Sequence, residues 1–175
     1  MDIDLFIPDM YQKSIYHINY DKLYEDGIRC LLFDLDNTMV PYGELEPSKK
    51  LIDFIEDLKD MGFRIIIFDD AGKKRLLPFK KMLNVDCAYN AKKPSEDKFM
   101  KVIEGFKLDL PELAIVGDEL RSDIFGGNRI GIKTILVNPI STEDSFKTRF
   151  FRRFEKKIIA KLNKRGILIK GKYYE

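Results

Sequence analysis

Asp34 and Asp36 stand one residue apart at the end of the apolar run Leu31-Leu32-Phe33, and Asn37 and Thr38 follow them. In an extended chain residues i and i+2 share a face, so this spacing brings two carboxylates together. Like charges held close are unfavourable unless a cation or a shared proton offsets them. The pattern therefore suits a hard divalent metal and an anionic substrate; an acidic turn closing a strand is the plainer alternative. Further along, Asp69 and Asp70 close a second apolar run, Lys92 and Lys93 follow a third, and Asp118 and Asp123 follow a fourth. Carboxylate oxygens as the only donors select Mg²⁺ over zinc. A magnesium ion beside a lysine suits a phosphoryl group, whose charge both would neutralise. The one histidine, His17, is remote from these residues in sequence, and no Gly-rich phosphate loop occurs. The nucleophile of such a site could then be a carboxylate, as in enzymes that form an aspartyl-phosphate.

These side chains can act together only if the fold delivers them to one edge. Residues 28–35 read as a first strand. Pro47 suits the first turn of a helix to about residue 61, with Leu51, Ile52, Ile55, Leu58 and Met61 at helical spacing and Gly62 as its stop. Residues 63–68 contain three consecutive isoleucines, as expected of a strand buried on both faces of a parallel sheet. A helix over 73–83 accommodates Pro78 as a kink or a late start. Strands over 86–89, 113–116 and 132–137 alternate with helices over 95–106, with Ser95 as N-cap, and 120–129. The alternation predicts a doubly wound α/β fold on a parallel sheet of about five strands. Ligands of such sheets sit beyond the carboxyl ends of the strands, where every acid and lysine named above falls. Residues 1–27 read as an irregular lead-in with a short helix over 21–26, closed by Gly27.

Composition sets the frame. The 175 residues are 45% hydrophobic and 34% charged, as expected of one globular domain over 1–175 with a real core. No apolar run has the length of a membrane span and the start does not resemble a signal peptide, so a cytoplasmic location is expected. Cys30 and Cys87 lie in apolar runs and read as buried thiols, without zinc spacing. The net charge of +2 hides an asymmetry: residues 147–172 carry eleven Lys/Arg against one acid, Glu155. An acidic body with a basic tail over 145–175 suggests either a solvated helix or an anionic surface as partner.

The motifs resemble a known family. Asp34-Leu-Asp36-Asn37-Thr38, then Lys93-Pro94, then Gly117-Asp118-x-x-x-x-Asp123 are similar to three of the four motifs of the haloacid-dehalogenase (HAD) phosphatases. Ile7-Pro8-Asp9, Ser14-Ile15, the run 27–40, Ala91-Lys92-Lys93-Pro94 and Gly126-Gly127-Asn128-Arg129-x-Gly131 resemble the YqeG-like subfamily IIIA, which is related to mitochondrial phosphatidylglycerophosphate phosphatases. The resemblance covers about residues 5–160. It implies a HAD-like Rossmannoid three-layer α/β/α fold and Mg²⁺-dependent phosphomonoester hydrolysis through an aspartyl-phosphate. By position, Asp34 would be the nucleophile and Asp36 the general acid and then base, its carbonyl also meeting Mg²⁺. Thr38 would hold the loop, and Lys93 would bind the phosphoryl group and screen Asp34. Asp34, Asp36, Asp118 and Asp123 would hold the metal, with Asp123 acting directly, through water, or by orienting Lys93. Lys92 is the weaker member of its pair, because the family's lysine precedes the proline. Gly126 and Gly127 read as positions of close helix-on-strand packing.

One departure stands out. The family ends its second strand with Ser or Thr, whose hydroxyl donates to the phosphoryl group, and here Phe68 takes that place, followed by Asp69 and Asp70. A phenyl ring cannot donate. Asp69 and Asp70 are therefore expected to meet the phosphate through backbone N–H groups or to add a metal ligand, and activity is expected to be weak or the substrate altered. A non-catalytic, phosphate-binding or scaffolding HAD-like domain is the alternative. A response-regulator receiver fits poorly, because it needs its acceptor after the third strand and its lysine after the fifth, whereas here Lys93 follows the third and Asp118 the fourth.

The short connections after Thr38 and before Lys93 leave no room for the cap domain of many relatives, so an open site and a bulky substrate (a lipid, protein or nucleotide phosphate) are expected. Phe146, Phe150, Phe154, Ile158 and Leu162 recur every four residues against a basic face. This helix either docks on its own domain or meets an anionic membrane through 146–165, with a peripheral location; no nucleic-acid-binding motif accompanies it.

Overall fold

The computed structural model describes residues 2–175. Six strands form one sheet: β1 (Met10–Gln12), β2 (Cys30–Phe33), β3 (Arg64–Phe68), β4 (Asp86–Ala88), β5 (Leu113–Gly117) and β6 (Lys133–Val137). All neighbours run parallel, in the order β1-β6-β5-β2-β3-β4. The helices are α1 (Tyr20–Glu25), α2 (Lys49–Asp60), α3 (Lys73–Leu83), α4 (Glu96–Gly105), α5 (Gly126–Ile130) and α6 (Phe146–Lys164), and a π-helical turn, Leu120–Phe125, leads into α5.

Alternation along β2 and β3 explains the layers. Leu31, Phe33, Ile65 and Ile67 pack with Leu51, Ile55 and Phe79 of α2 and α3. Leu32, Ile66 and Phe68 face the other way, onto Phe99 and Ile103 of α4. Both faces of the central strands are covered, so they read as unbroken apolar runs. Burial pushes the Cys30 and Cys87 thiols up to about 12, which keeps them inert structural residues.

The sheet has six strands rather than about five because the lead-in contributes β1. Met10 pairs with Ile135 of β6, and the tail closes on the other side: Tyr11 and Tyr174 exchange two backbone hydrogen bonds of 2.9 Å. The two chain ends thereby cover the edge that β6 would otherwise expose. Helix α2 starts at Lys49, two residues after Pro47. Ser48 caps it by accepting from Leu51 N at 3.2 Å, and Pro47 precedes the cap. Pro78 lies inside α3. Gly126 and Gly127 do permit close approach: a Cβ at Gly126 would meet Phe99 at 2.8 Å, and one at Gly127 would meet Ile115 and Thr134 at 2.7 Å.

The five apolar residues of α6 do not form one stripe. At 3.6 residues per turn each step of four overshoots a full circle by about 40°, so the line drifts around the helix. Its end is buried, with Ile158 and Leu162 packed on Phe6, Tyr11, Leu120 and Ile124. Its beginning faces out: Phe146 is 86% exposed and Phe150 67%. Glu155, on the docked face, is 3% exposed and accepts from Arg121 N at 2.8 Å and Arg152 Nη1 at 3.1 Å. Among the described residues no helix is long and apolar enough to cross a membrane.

Candidate active site

The sheet order reverses between β5, β2 and β3, and the crevice above their carboxyl ends is where a doubly wound sheet places its ligand. Phe33 lies opposite Val116 and Ile67, so Asp34 leaves the sheet next to Gly117-Asp118 on one side and Phe68-Asp69 on the other. Lys93 arrives from the loop after β4, and Asp123 from the π-helical turn after β5.

Lys93, 4% exposed, donates through Nζ to Asp34 Oδ1 at 2.7 Å and to Asp123 Oδ1 at 2.6 Å. Thr38 Oγ1 lies 3.2 Å from Asp34 Oδ2 and 3.0 Å from Asp118 Oδ1, and its single hydrogen can serve one of them at a time. One oxygen each of Asp34, Asp118 and Asp123 falls within 4.8 Å of the other two. Asp123 is fully buried; its other oxygen accepts from Glu119 N at 3.1 Å. That carboxylate rests on Gly117, where a Cβ would lie 2.7 Å from Asp123 Cβ and nearer still to its Cγ and Oδ2.

Crowding three acids into a buried site shifts all of them. Burial raises Asp118 to about 6 and Asp123 to about 7, and lifts Asp34 well above the carboxylate range against the pull of Lys93. Burial also pulls down on the Lys93 ammonium, but Asp123 and Asp34 outweigh it and hold the group charged. Three convergent carboxylates with an excess of negative charge and oxygen donors alone fit a hard divalent cation such as Mg²⁺. Asp34, Asp118 and Asp123 would hold it.

The remaining expected residues have other partners. Asp36 lines the cleft but stands outside the cluster of three; its carboxylate accepts from Arg75 Nη2 at 2.7 Å and Gly43 N at 3.2 Å. Asp69 lines the cleft too, accepting from Leu35 N at 3.2 Å and Ala71 N at 2.7 Å. Asp70 accepts from Lys93 N at 2.8 Å and Lys147 Nζ at 3.0 Å, tying the lysine's loop to α6. The expectation about Phe68 is corrected. Its ring is 1% exposed and packs edge-on against Phe99 beneath Lys93, so it is core, and the residue that β3 presents to the cleft is Asp69.

Two contributors, Arg75 and Arg152, escaped the sequence, and a third, Asn37, stood in the first motif without a role. Asn37 is buried at positive φ; its Oδ1 accepts from Tyr42 N and Ser141 N while Nδ2 donates to Glu143 O and Asp144, pinning two loops at the cleft. Arg75 pairs with Asp36. Arg152 contacts Asp118 closely through Nη2, donates to Asp118 O at 3.0 Å, and reaches Asp144 at 3.3 Å. Arg152 belongs in sequence to the basic face of the last helix and Arg75 to a helix rich in lysine; only an acid at the sheet edge marks them, and no local pattern encodes that. The cleft has a volume of about 590 Å³.

A HAD-hydrolase-like family model matches residues 90–145. The "Probable phosphatase YqeG" of Bacillus subtilis (strain 168) is 34% identical over 161 residues, 92% of this chain and 94% of that protein. The chloroplastic phosphatidylglycerophosphate phosphatase 1 of Chlamydomonas reinhardtii is 26% identical over 173 residues; the match spans 93% of this chain and 64% of the algal protein. Among solved structures, an uncharacterized protein from Listeria monocytogenes serotype 4b superposes with a TM-score of 0.54 at 18% identity, over 67% of this chain and 85% of that one, a likeness of fold.

Proposed function

This chain belongs to the HAD-family phosphatases, in their YqeG-like branch, and we infer that it hydrolyses phosphomonoesters through an aspartyl-phosphate on Asp34, with Mg²⁺ as cofactor. The observation that carries the reading is the buried meeting of Asp34, Asp118 and Asp123 around Lys93. Bound Mg²⁺ supplies charge neutralisation for the phosphoryl oxygens. Asp34 attacks phosphorus in line while the ester P–O bond breaks. Asp36, at the cleft and free to exchange Arg75 for the substrate, protonates the departing alkoxide. A water molecule then attacks the acylphosphate phosphorus; Asp36 takes its proton, and the P–O bond to Asp34 breaks to release phosphate. Lys93 screens Asp34 and holds the transferring group, and Asp123 fixes the lysine. Thr38 holds Asp34 and Asp118 in register. The backbone N–H groups of Leu35 and Ala71 are taken by Asp69, which leaves Lys93 as the phosphoryl donor at this side of the cleft.

The substrate we assign is the terminal phosphate of a phospholipid headgroup, of the phosphatidylglycerophosphate type. Support comes from the algal relative's name and from a cleft bounded by short loops, without a domain inserted above it. A single capless domain working from the cytoplasmic side, in peripheral contact with the membrane, fits that ester. The test is turnover of p-nitrophenyl phosphate with and without Mg²⁺. Asp34→Asn should cost at least about 10³-fold, the scale of losing a nucleophile; equal rates would sink the mechanism. Phosphatidylglycerophosphate in mixed micelles should then exceed nucleotide and sugar phosphates in kcat/KM.

A further inference from the structure

We propose that the outward face of the first half of α6 docks on an anionic lipid bilayer, setting the cleft at the lipid–water boundary. Phe146 and Phe150 stand one turn apart on that face, 86% and 67% exposed, the first being the most exposed large hydrophobic side chain among the described residues. Arg149, Arg153 and Lys157 share the same side and are exposed. The only acid in residues 147–172 is Glu155, which is buried on the opposite side. The outward face therefore carries no carboxylate. Two rings with a skirt of cations and no acid complement an interface that is apolar within and anionic at its surface.

The same helix is tied to the cleft. Lys147 pairs with Asp70 at 3.0 Å, Thr148 Oγ1 donates to Glu119 at 2.9 Å, and Phe151 lines the cavity. The outward rings thus flank residues at the cleft's rim, and the docked second half of α6 anchors them to the domain. A lipid-headgroup phosphate could reach Asp34 without its acyl chains leaving the bilayer. Only that consequence rests on the assigned substrate; the docking itself does not.

The experiment uses the full chain carrying Asp34→Asn, so that no turnover alters the lipid. Sedimentation with phosphatidylcholine vesicles is compared with vesicles enriched in phosphatidylglycerol, at low and high salt. Binding should appear with the anionic vesicles and fall steeply with salt. Adding Phe146→Ala and Phe150→Ala should weaken it at least about tenfold by removing apolar insertion, and adding Arg153→Glu with Lys157→Glu should do so by reversing charge. In the otherwise wild-type chain, both pairs should leave p-nitrophenyl phosphate turnover within about twofold, because neither touches the cleft. No binding at low salt, or binding indifferent to both pairs, would overturn the proposal. So would tighter binding to a DNA duplex lost in the same variants, which would give the face to nucleic acid. Vesicle binding by a chain with no phosphatase activity would refute the proposed reaction and leave the docking standing.

Discussion

β2 and β3 lie side by side in register, and each ends in a buried aspartate, yet the two ends are built for different work. Asp34 is set against a lysine, a threonine and two further acids; Asp69 accepts from the backbone N–H groups of Leu35 and Ala71. The first carboxylate shares one lysine with a second acid and lies beside a third. Asp69 is satisfied by the chain itself. Residue type and strand end are therefore not enough to make a reactive group; the partners decide.

That contrast can be broken experimentally. Its largest expected effect is the loss of turnover in Asp34→Asn given above. Next, Lys93→Met should strand buried acids without their cation and destabilise the metal-free protein by about 3–5 kcal/mol. Added Mg²⁺ should restore part of the melting temperature, and a calorimetric scan that shows no such recovery would remove the metal from the cluster. Gly117→Ala would drive a Cβ into the Asp123 carboxylate, at a cost of about 1–3 kcal/mol, and should loosen the Lys93 contact; urea unfolding reads the first effect and Mg²⁺ titration the second. Asp69→Asn keeps an acceptor for one N–H, so about 1 kcal/mol of stability should go while turnover changes less than about tenfold. A collapse of activity as large as in Asp34→Asn would erase the distinction between the two strand ends.

The smallest effect comes from a third buried acid. Burial raises Glu155 to about 7 even though Arg152 and the Arg121 N–H favour its charge. The folded state then binds a proton that the unfolded state has released, so this group's stabilisation is complete below its unfolded value of 4.5 and is lost as pH rises through about 7. Melting temperatures across that window should fall less in Glu155→Gln than in wild type; parallel curves would show that Glu155 does not titrate there.

Much of this could be read before the fold was known, for local reasons. Apolar runs ending in acids, and a lysine after the third run, suffice to place Asp34, Asp118 and Lys93 on one edge once the sheet is parallel. β1 was hidden because three residues carry no period; only pairing with β6 defines them. Phe68 was misjudged because a one-residue change in where a strand ends exchanges the side chain aimed at the cleft for one aimed at the core.

The chain's own order of residue types determined that a parallel sheet forms, that acids gather at its carboxyl edge, and that its last helix is basic. Those are consequences of alternation, helical spacing and charge, which act over a few residues. Tertiary structure alone decided which arginine meets which acid, how deeply each acid is buried, and that α6 rolls its first phenylalanines outward while its end packs down. The reason is physical: pairing and desolvation depend on what arrives from distant positions, and a 40° drift becomes a change of environment only when there is a core to drift away from.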